Sequence, residues 1–356
     1  MSEENEEERR DWSELPSELL HLIVQKLPTN VPDFIRFRTV CSTWRSSAPV
    51  SDPPHQFPWL LELFKRDDGF YTVIKRQRFY SISSGETLTI PLRNKKPELR
   101  NFVNGGVYNG YLPFVDYHEC TLSFFNPITR ERSSLLPMRY GRNSPWMVWN
   151  GTTDSTVVLH QYLLMRDRMQ ECSFYDPRRN RRVEKWEYHC CYWQGMFFST
   201  YAGQPTDVFN VYSKQLLQTI RSPEIGSIQN SLAYGLRKSY LIVSSGAILR
   251  VLWFYDSKKK SVEESVFYIY SLDFDRTDGK SNWVRIYYIG DQILFLGEMN
   301  GFSMTARPNS GFREGCIYFI DPSKNKPYMY DLLGGTVERV PCPFDNCTWF
   351  LPVFSK

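Results

Sequence analysis

The sequence lacks the segments that carry a chain into or across a membrane. Its first ten residues are acidic and polar, without the apolar stretch of a secretory signal. A run of about 18 apolar residues is missing as well, because the richest stretch, 240–255, is interrupted by Ser244-Ser245-Gly246 and by Arg250. We therefore expect a protein of the cytoplasm, the nucleus or both, with no membrane partner.

The signatures of common catalytic and metal centres are also missing. The sequence contains no G-x-S-x-G nucleophile elbow and no H-E-x-x-H pair, and its five histidines stand in unlike contexts. Eight cysteines are present, and Cys190-Cys191 adjoins His189, but Cys342 and Cys347 do not belong to paired C-x-x-C repeats. Zinc needs four convergent ligands, and thiols of a reducing compartment stay free. We predict structural thiols and no catalytic residue, metal or cofactor.

The sequence also lacks a strong excess of positive or negative charge. The 43 basic and 39 acidic side chains give a formal net charge of +4. Basic residues cluster at 178–182 and at 258–260, beside turn signals, where solvated loop tips explain them better than a nuclear-import signal does. Nucleic-acid binders need a contiguous basic surface, so we expect no nucleic-acid partner.

The chain does contain a helical segment near its N-terminus that is rich in apolar residues. Pro16 fits the first turn of a helix, and Pro28 ends it. Apolar residues recur between them at helical spacing, namely Leu15, Leu19, Leu22, Ile23 and Leu27. A second stripe follows Pro32-Asp33 and consists of Phe34, Phe37, Val40, Cys41 and Trp44. Two such stripes in so short a segment cannot bury each other alone, so the pattern predicts a docking module.

The order of these residues resembles an F-box. Leu15-Pro16 and Leu27-Pro28 enclose Glu18-Leu19 and Leu22-Ile23, and residues 36–45 read Arg-Phe-Arg-x-Val-Cys-x-x-Trp-Arg, with Ser42 where the family usually has a basic residue. The resemblance implies a three-helix motif that docks on the Skp-type adaptor of an SCF ubiquitin ligase, and through it on a cullin and a RING protein. The adaptor-binding residues that it implies are Leu15, Pro16, Leu19, Leu22, Ile23, Leu27, Val40, Cys41 and Trp44. An ordinary helical hairpin that caps the main domain is the alternative.

From about residue 71 onward, short β-branched and aromatic runs alternate with turn sequences, which is typical of an all-β domain. One unit recurs at 122–127, 172–177 and 317–322, where Asn or Asp before Pro suits a tight turn between two strands. Weaker copies near Ser84, Ser213 and Phe274 complete a period of about 47 residues, the size of a propeller blade. Six blades follow, although the copy at Phe254-Tyr255-Asp256 leaves five or seven open.

This β region looks like the KIB-like domain that stands behind the F-box in a large plant family. The resemblance rests on Phe125-Asn126-Pro127, on 240–243, 294–297 and 315–319, and on Thr348-Trp349-Phe350. The predicted fold is a small all-α F-box of three helices followed by a large all-β domain, a six-bladed β-propeller closed by its C-terminal segment, 337–354. The predicted boundaries are an acidic disordered tail (1–11), the F-box (12–50), a Pro-rich linker (51–70) and the propeller (71–356). The linker leads us to expect two separate units.

The functional expectation is a substrate-recognition subunit of an SCF-type E3 ubiquitin ligase. The propeller would hold an unidentified target protein, and no step of bond chemistry would belong to this chain. A stoichiometric binding or inhibitor scaffold is the alternative, and a propeller-fold hydrolase is a further one. The target-binding residues are unknown, because Trp146, Trp149, Tyr192 and Trp193 lie near predicted turns but suit a hydrophobic core equally well.

Overall fold

A computed structural model describes the chain in segments. They comprise residues 11–26, 31–49, 56–63, 76–91, 110–116, 121–132, 136–137, 175–176, 181–182, 188–201, 204–210, 213, 215–224, 234–256, 261–274, 280–297, 301–308 and 310–353. Of the predicted acidic tail, only Asp11 belongs to them. Its side chain accepts a hydrogen bond from the backbone N–H of Ser13 at 2.9 Å and so begins the first short helix.

The N-terminal region is helical, as its apolar spacing predicts. A 3-10 helix, Trp12–Glu14, precedes α1 (Ser17–Lys26), α2 (Val31–Thr39) and α3 (Ser42–Ser47). The backbone N–H of Leu20 donates to the carbonyl of Pro16 at 3.1 Å, so Pro16 stands directly before α1, where no helical hydrogen bond is lost. The F-box expected over 12–50 therefore contains three α-helices among the described residues.

The regular structure of the remaining described chain is almost entirely β-strand. A short 3-10 helix, Val262–Glu264, interrupts it. The strands are β1 (Trp59–Glu62), β2 (Arg76–Ser81), β3 (Thr87–Pro91), β4 (Leu112–Asp116), β5 (Thr121–Phe125), β6 (Leu136–Pro137), β7 (Tyr175–Asp176), β8 (Arg181–Arg182), β9 (Tyr188–Trp193), β10 (Met196–Tyr201), β11 (Thr206–Asn210), β12 (Leu216–Ile220), β13 (Tyr234–Ser244), β14 (Ala247–Asp256), β15 (Val266–Asp273), β16 (Asn282–Ile286), β17 (Gln292–Leu296), β18 (Gly301–Thr305), β19 (Cys316–Asp321), β20 (Lys326–Asp331), β21 (Thr336–Arg339) and β22 (Cys347–Phe350).

These strands form six sheets within the described residues. Their strand orders are β22-β1-β2-β3, β4-β5-β6, β7-β8, β9 to β12 in sequence, β13 to β16 in sequence, and β18-β17-β19-β20-β21. Two of the sheets are thus complete four-stranded meanders, as expected of propeller blades. The last sheet departs from that pattern, because β17 and β19 pair in parallel and β18 lies outside β17.

The first sheet corrects the predicted linker. Residues Trp59–Glu62, expected to connect two units, form β1, which pairs with β2 on one side and with β22 on the other. Trp59, Leu60 and Leu61 are all at most 1% exposed. The surrounding prolines, which gave the region its linker-like composition, stand outside this short apolar run, so the β region begins at 59 instead of 71. One strand of the segment 337–354, β22, joins the first sheet, whereas β21 belongs to another.

The recurring turns explain the sequence repeat. Asn126 follows β5, and its side-chain oxygen accepts the backbone N–H of Ile128 at 2.9 Å, while its carbonyl accepts that of Arg130 at 2.8 Å. Asp321 accepts the N–H groups of Ser323 and Asn325 in the same way. The fifth residue of each turn has a positive φ, 63° at Arg130 and 49° at Asn325. A strand-end Asn or Asp therefore folds both turns by local hydrogen bonding.

The weaker copies follow the same rule in a shifted register. Ser81, not the predicted Ser84, ends β2 and accepts the N–H of Ser84 on its side chain and that of Gly85 on its carbonyl. Asn210, not Ser213, accepts the N–H of Ser213 at 2.9 Å. Asp256 ends β14, and Phe274 directly follows β15, the neighbouring strand of the same sheet. Both positions therefore resembled the start of a turn. The phase of the predicted repeat was therefore wrong by three residues at two places.

Candidate functional site

Helix α1 has two apolar faces with opposite surroundings. Leu20 and Val24, one turn apart, are 0% and 4% exposed. Leu19, Leu22 and Ile23 lie on other sides of the helix and are 47%, 53% and 37% exposed. Residues three and four positions apart are neighbours on a helix, so these three aliphatic side chains form one apolar surface facing solvent.

Exposed apolar residues are concentrated around this helix. Ten large hydrophobic side chains are exposed in the described part of the chain, and five of them lie between residues 12 and 40. They are Trp12, Leu19, Leu22, Ile23 and Val40, and we call the contiguous surface of Leu19, Leu22 and Ile23 the docking face. Apolar side chains contribute less to folding when they are exposed, and contiguous exposed patches of them mark interaction sites. The docking face is therefore the leading candidate for a binding site.

The other predicted docking residues have mixed positions. Pro16 is exposed directly before α1, whereas Leu15 and Trp44 are half-buried against the core. The Trp44 ring lies 4.5 Å from that of Phe37, and its Nε1 donates to the carbonyl of Trp12 at 2.9 Å. Cys41 is half-buried and stands at the N-terminus of α3. Leu27 lies outside the described residues. Trp44 thus helps to hold the helices together, and its contacts with Phe37 and Trp12 are structural.

The basic residues of the predicted motif also have structural partners. The guanidinium of Arg38 donates to the carbonyl oxygens of Ala48 and Arg45, and Arg45 Nε donates back to the Arg38 carbonyl at 3.1 Å. Burial, together with the positive charge of Arg45, lowers the pKa of Arg38. The two arginines fasten α2 to α3, which explains their place in the Arg-x-Arg and Trp-Arg elements of the sequence.

The buried face of α1 connects the helices to the first sheet, and sequence reasoning missed it. Leu20, Val24, Phe34 and Phe37 belong to one hydrophobic cluster, together with the strand residues Trp59, Leu61, Phe79 and Phe350. Burying each such side chain contributes roughly 1.5–3 kcal/mol. The sequence did indicate a second apolar face of α1. The two residues of an adjacent pair, Leu19-Leu20 or Ile23-Val24, cannot lie on the same face of a helix. The β-sheet therefore covers one face of α1 and leaves the other free.

Outside the F-box region, exposed aromatic side chains gather at the end of β16. Tyr287 and Tyr288 are 69% and 59% exposed, and Val284 is 49% exposed. The Arg285 guanidinium lies 4.5 Å from the ring centroid of Tyr268 and 4.6 Å from that of Tyr287. Tyrosine and arginine are frequent anchors of protein interfaces, so this surface is a second candidate site.

The four aromatic residues that the sequence suggested for target binding, Trp146, Trp149, Tyr192 and Trp193, are weaker candidates for an interface. Trp193 packs against Phe198 and Phe274, with centroid distances of 6.4 and 6.1 Å, and Tyr192 is half-buried on the same strand. Trp146 and Trp149 lie outside the described residues. Trp193 is thus part of a core, as its alternative interpretation held.

The described residues contain no group of three or more His, Cys, Asp or Glu side chains arranged to hold a metal ion. His189 is buried, and its ring lies 4.4 Å from that of Tyr240. The cysteines whose side chains the structure describes are free thiols, namely Cys41, Cys191, Cys316, Cys342 and Cys347. Over the same residues, no helix combines the length and the apolar character needed to cross a membrane.

Comparison with known proteins assigns both regions. A family model described as the KIB1-4 beta-propeller matches residues 79–334, and the F-box domain matches residues 12–49. A putative F-box protein of Arabidopsis thaliana is 23% identical over 392 residues, which cover 97% of this chain and 94% of the relative. Another from the same plant is 22% identical over 389 residues, 97% of each chain. A third is 44% identical over 52 residues, 14% of each chain.

An F-box joined to a β-propeller is the architecture of a substrate adaptor. The resemblance found in the sequence is thereby confirmed along most of the chain. This chain belongs to the family of plant F-box proteins that carry a KIB1-4 beta-propeller.

Proposed function

We propose that this protein is the substrate-recognition subunit of an SCF-type E3 ubiquitin ligase. Its docking face binds a Skp-type adaptor, which brings a cullin and a RING protein, and its β-propeller holds a target protein. The observation that carries the proposal is the solvent exposure of Leu19, Leu22 and Ile23 on a helix whose other apolar face is buried. The protein acts in the cytoplasm, the nucleus or both.

The exposed aliphatic side chains suit a protein partner in size and chemistry. Complete burial of a leucine or isoleucine contributes roughly 1.5–3 kcal/mol, and between 37% and 53% of each of these three residues is still exposed and can be buried by a partner. A few fully desolvated anchors of this kind supply most of the binding energy in a typical interface. The docking face therefore needs no reactive or charged group to bind the adaptor.

In this proposal the β region is the domain that presents the target protein. We infer that it is a six-bladed propeller, because six sheets occur among the described residues, and that β22 closes the ring by pairing with β1. The shared core of helices and first sheet supports this arrangement, because it holds the helices against the β region. Ubiquitin transfer is then accelerated by proximity, since the target and the conjugating enzyme are tethered in one assembly, and this chain is not itself an enzyme.

The surface around Tyr287 is the part of the described propeller best suited to hold the target. Tyr287 and Tyr288 offer large exposed rings, and Arg285 is held between two tyrosine rings, where it can also bind a carboxylate. Rigid aromatic side chains lose little conformational entropy on binding. We therefore assign target contact to this surface.

Binding of a purified Skp-type adaptor tests the proposal. We expect the double substitution Leu22→Ala with Ile23→Ala to weaken adaptor affinity by roughly a hundredfold or more, because two interface anchors are truncated. Leu333→Ala is the matched control, since Leu333 is 78% exposed in a loop of the β region. Equal adaptor affinity of the double variant, the control and the wild type would disprove the docking assignment.

A second experiment distinguishes ligase from scaffold. Proteins captured by the propeller are identified with and without proteasome inhibition, and the target is then followed in cells. We expect the target to disappear faster when the wild-type protein is expressed, and to be spared in the presence of the Leu22 and Ile23 variant. A captured protein whose half-life is equal in both cases identifies a stoichiometric scaffold.

A further inference from the structure

Cys342 and Cys347, which are not adjacent in the sequence, lie side by side at the start of β22. Cys342 lies in the segment between β21 and β22, and Cys347 is the first residue of β22. Their Sγ atoms are 3.8 Å apart, in van der Waals contact. Cys347 is buried, whereas Cys342 is half-buried and so retains access to solvent.

The surroundings of the pair favour a reactive thiolate on Cys342. The hydrogen bond with Cys347 lowers the pKa of Cys342 to about 7, although burial opposes the shift. The backbone N–H of Phe344, 3.4 Å from Cys342 Sγ, and the positive charges of Lys326 and Arg339 act in the same direction. Lys326 Nζ also donates to the carbonyl of Phe344 at 2.6 Å and lies 3.5 Å from the carboxylate of Asp345. The same hydrogen bond and burial raise the pKa of Cys347.

The geometry points to a dithiol that a hydroperoxide converts into an intramolecular disulfide between Cys342 and Cys347. The Cys342 thiolate attacks the terminal peroxide oxygen, the O–O bond breaks, and the leaving oxygen takes a proton to give water or an alcohol. The sulfur of Cys347 then attacks the sulfenic acid on Cys342. An S–S bond forms, and the hydroxyl leaves with the Cys347 proton as water. Two thiols and one hydroperoxide thus give one disulfide, one water and one water or alcohol.

The disulfide would act on the edge of the first sheet. Glu62 of β1 is paired with Cys347 in register, and the backbone N–H of Leu63 donates to the carbonyl of Asn346 at 2.9 Å. A covalent link from Cys347 to Cys342 ties β22 to the segment that follows β21. The pairing of β22 with β1 is thereby strengthened when the protein is oxidised, because fewer unfolded conformations remain available. This property is independent of adaptor and target binding.

A third cysteine supplies an internal control. Cys316 is also buried in the β region, but burial and the nearby carboxylate of Asp331 raise its pKa to about 11. Its thiol is therefore protonated at neutral pH, and thiols react with peroxides as thiolates. Oxidation of the dithiol should leave Cys316 unmodified.

The test uses the purified full chain and hydrogen peroxide as the probe. Trypsin cleaves after Arg339, so residues 340–356 form one peptide that contains both cysteines. After brief treatment, we expect this peptide to lose two hydrogens, about 2 Da, and to resist maleimide until it is reduced, while Cys316 stays accessible to maleimide after denaturation. The rate should rise between pH 6 and 8 as Cys342 ionises, and oxidation should raise the melting temperature reversibly.

Three outcomes would overturn the proposal. They are a peptide 340–356 that gains oxygen without losing two hydrogens, oxidation of Cys316 at a similar rate, and no reaction at all. Cys342→Ser should abolish the loss of two hydrogens. Because the wild-type peptide alone decides the question, a variant that fails to fold does not obscure the result.

Discussion

Leu19 and Leu20 are neighbours in the sequence with opposite surroundings, so replacing each by Ala should separate docking from folding. Leu20 is fully buried in the cluster shared with the first sheet, and Leu19 is 47% exposed. Truncation of a buried leucine removes apolar contacts and leaves a cavity, which costs about 2–5 kcal/mol of unfolding free energy. Truncation of a leucine at the surface changes that free energy by about 0.5 kcal/mol or less.

Adaptor binding should show the reverse order. We expect Leu19→Ala to lose roughly 2–4 kcal/mol of binding free energy, which is about thirtyfold to a thousandfold in affinity. Leu20→Ala should weaken adaptor binding only through the fraction of molecules in which the helices have come loose. Excess adaptor should recover that fraction, since binding favours the folded form.

Thermal unfolding, amide hydrogen exchange in α1 to α3 and adaptor titration, each on both variants, measure the two effects. Leu20→Ala should lower the melting temperature and speed exchange in the helices, and Leu19→Ala should do neither. The reasoning fails if Leu19→Ala destabilises the helices as much as Leu20→Ala does. It fails equally if Leu20→Ala leaves their exchange unchanged, because the helices would then be seated without the shared core.

Three further predictions follow from other parts of the structure. Deleting residues 346–356 removes β22, in which Trp349 and Phe350 are fully buried, and leaves β1 with an open edge. Size-exclusion chromatography should then show oligomers, and the melting temperature should fall. A monomer with an unchanged melting temperature would contradict this. A chelator should leave the melting temperature unaltered, and a decrease would reveal a bound metal. Arg285→Ala and Tyr287→Ala should each weaken target binding about tenfold or more, while Leu217→Ala, at an exposed site on β12, should not; equal losses at both sites would exclude the Tyr287 surface.

The sequence predicted the elements that are governed by local chemistry. Helical spacing located α1 to α3, and the aliphatic residues named for docking include the exposed Leu19, Leu22 and Ile23. Asn126 and Asp321 were recognised because their side chains fold the turn by bonding to the next few backbone groups. Such signals lie within a few residues of one another, so a single sequence contains all the necessary information.

The features that were missed depend on distant parts of the chain. Residues 59–62 are too few to be recognised as a strand, and they form one because β2 and β22 lie on either side. Leu20 and Val24 gain their role from a sheet that no helical pattern reveals. The contact between Cys342 and Cys347 is local but was missed as well, because the two residues do not form a recognised sequence motif. The shared cluster also argues against the two separate units expected from the Pro-rich segment.

The pairing of β22 with β1 has a consequence for synthesis. The F-box helices leave the ribosome before the β region, but Phe350, one residue of the cluster that holds them, is made only after everything between Glu62 and Cys347. Closing so long a loop has an entropic cost that the final contacts must offset, and such contacts form late. A nascent chain or a prematurely terminated one therefore presents its helices on an unfinished sheet. We expect adaptor binding to distinguish finished molecules from unfinished ones, so that few incomplete receptors enter the ligase.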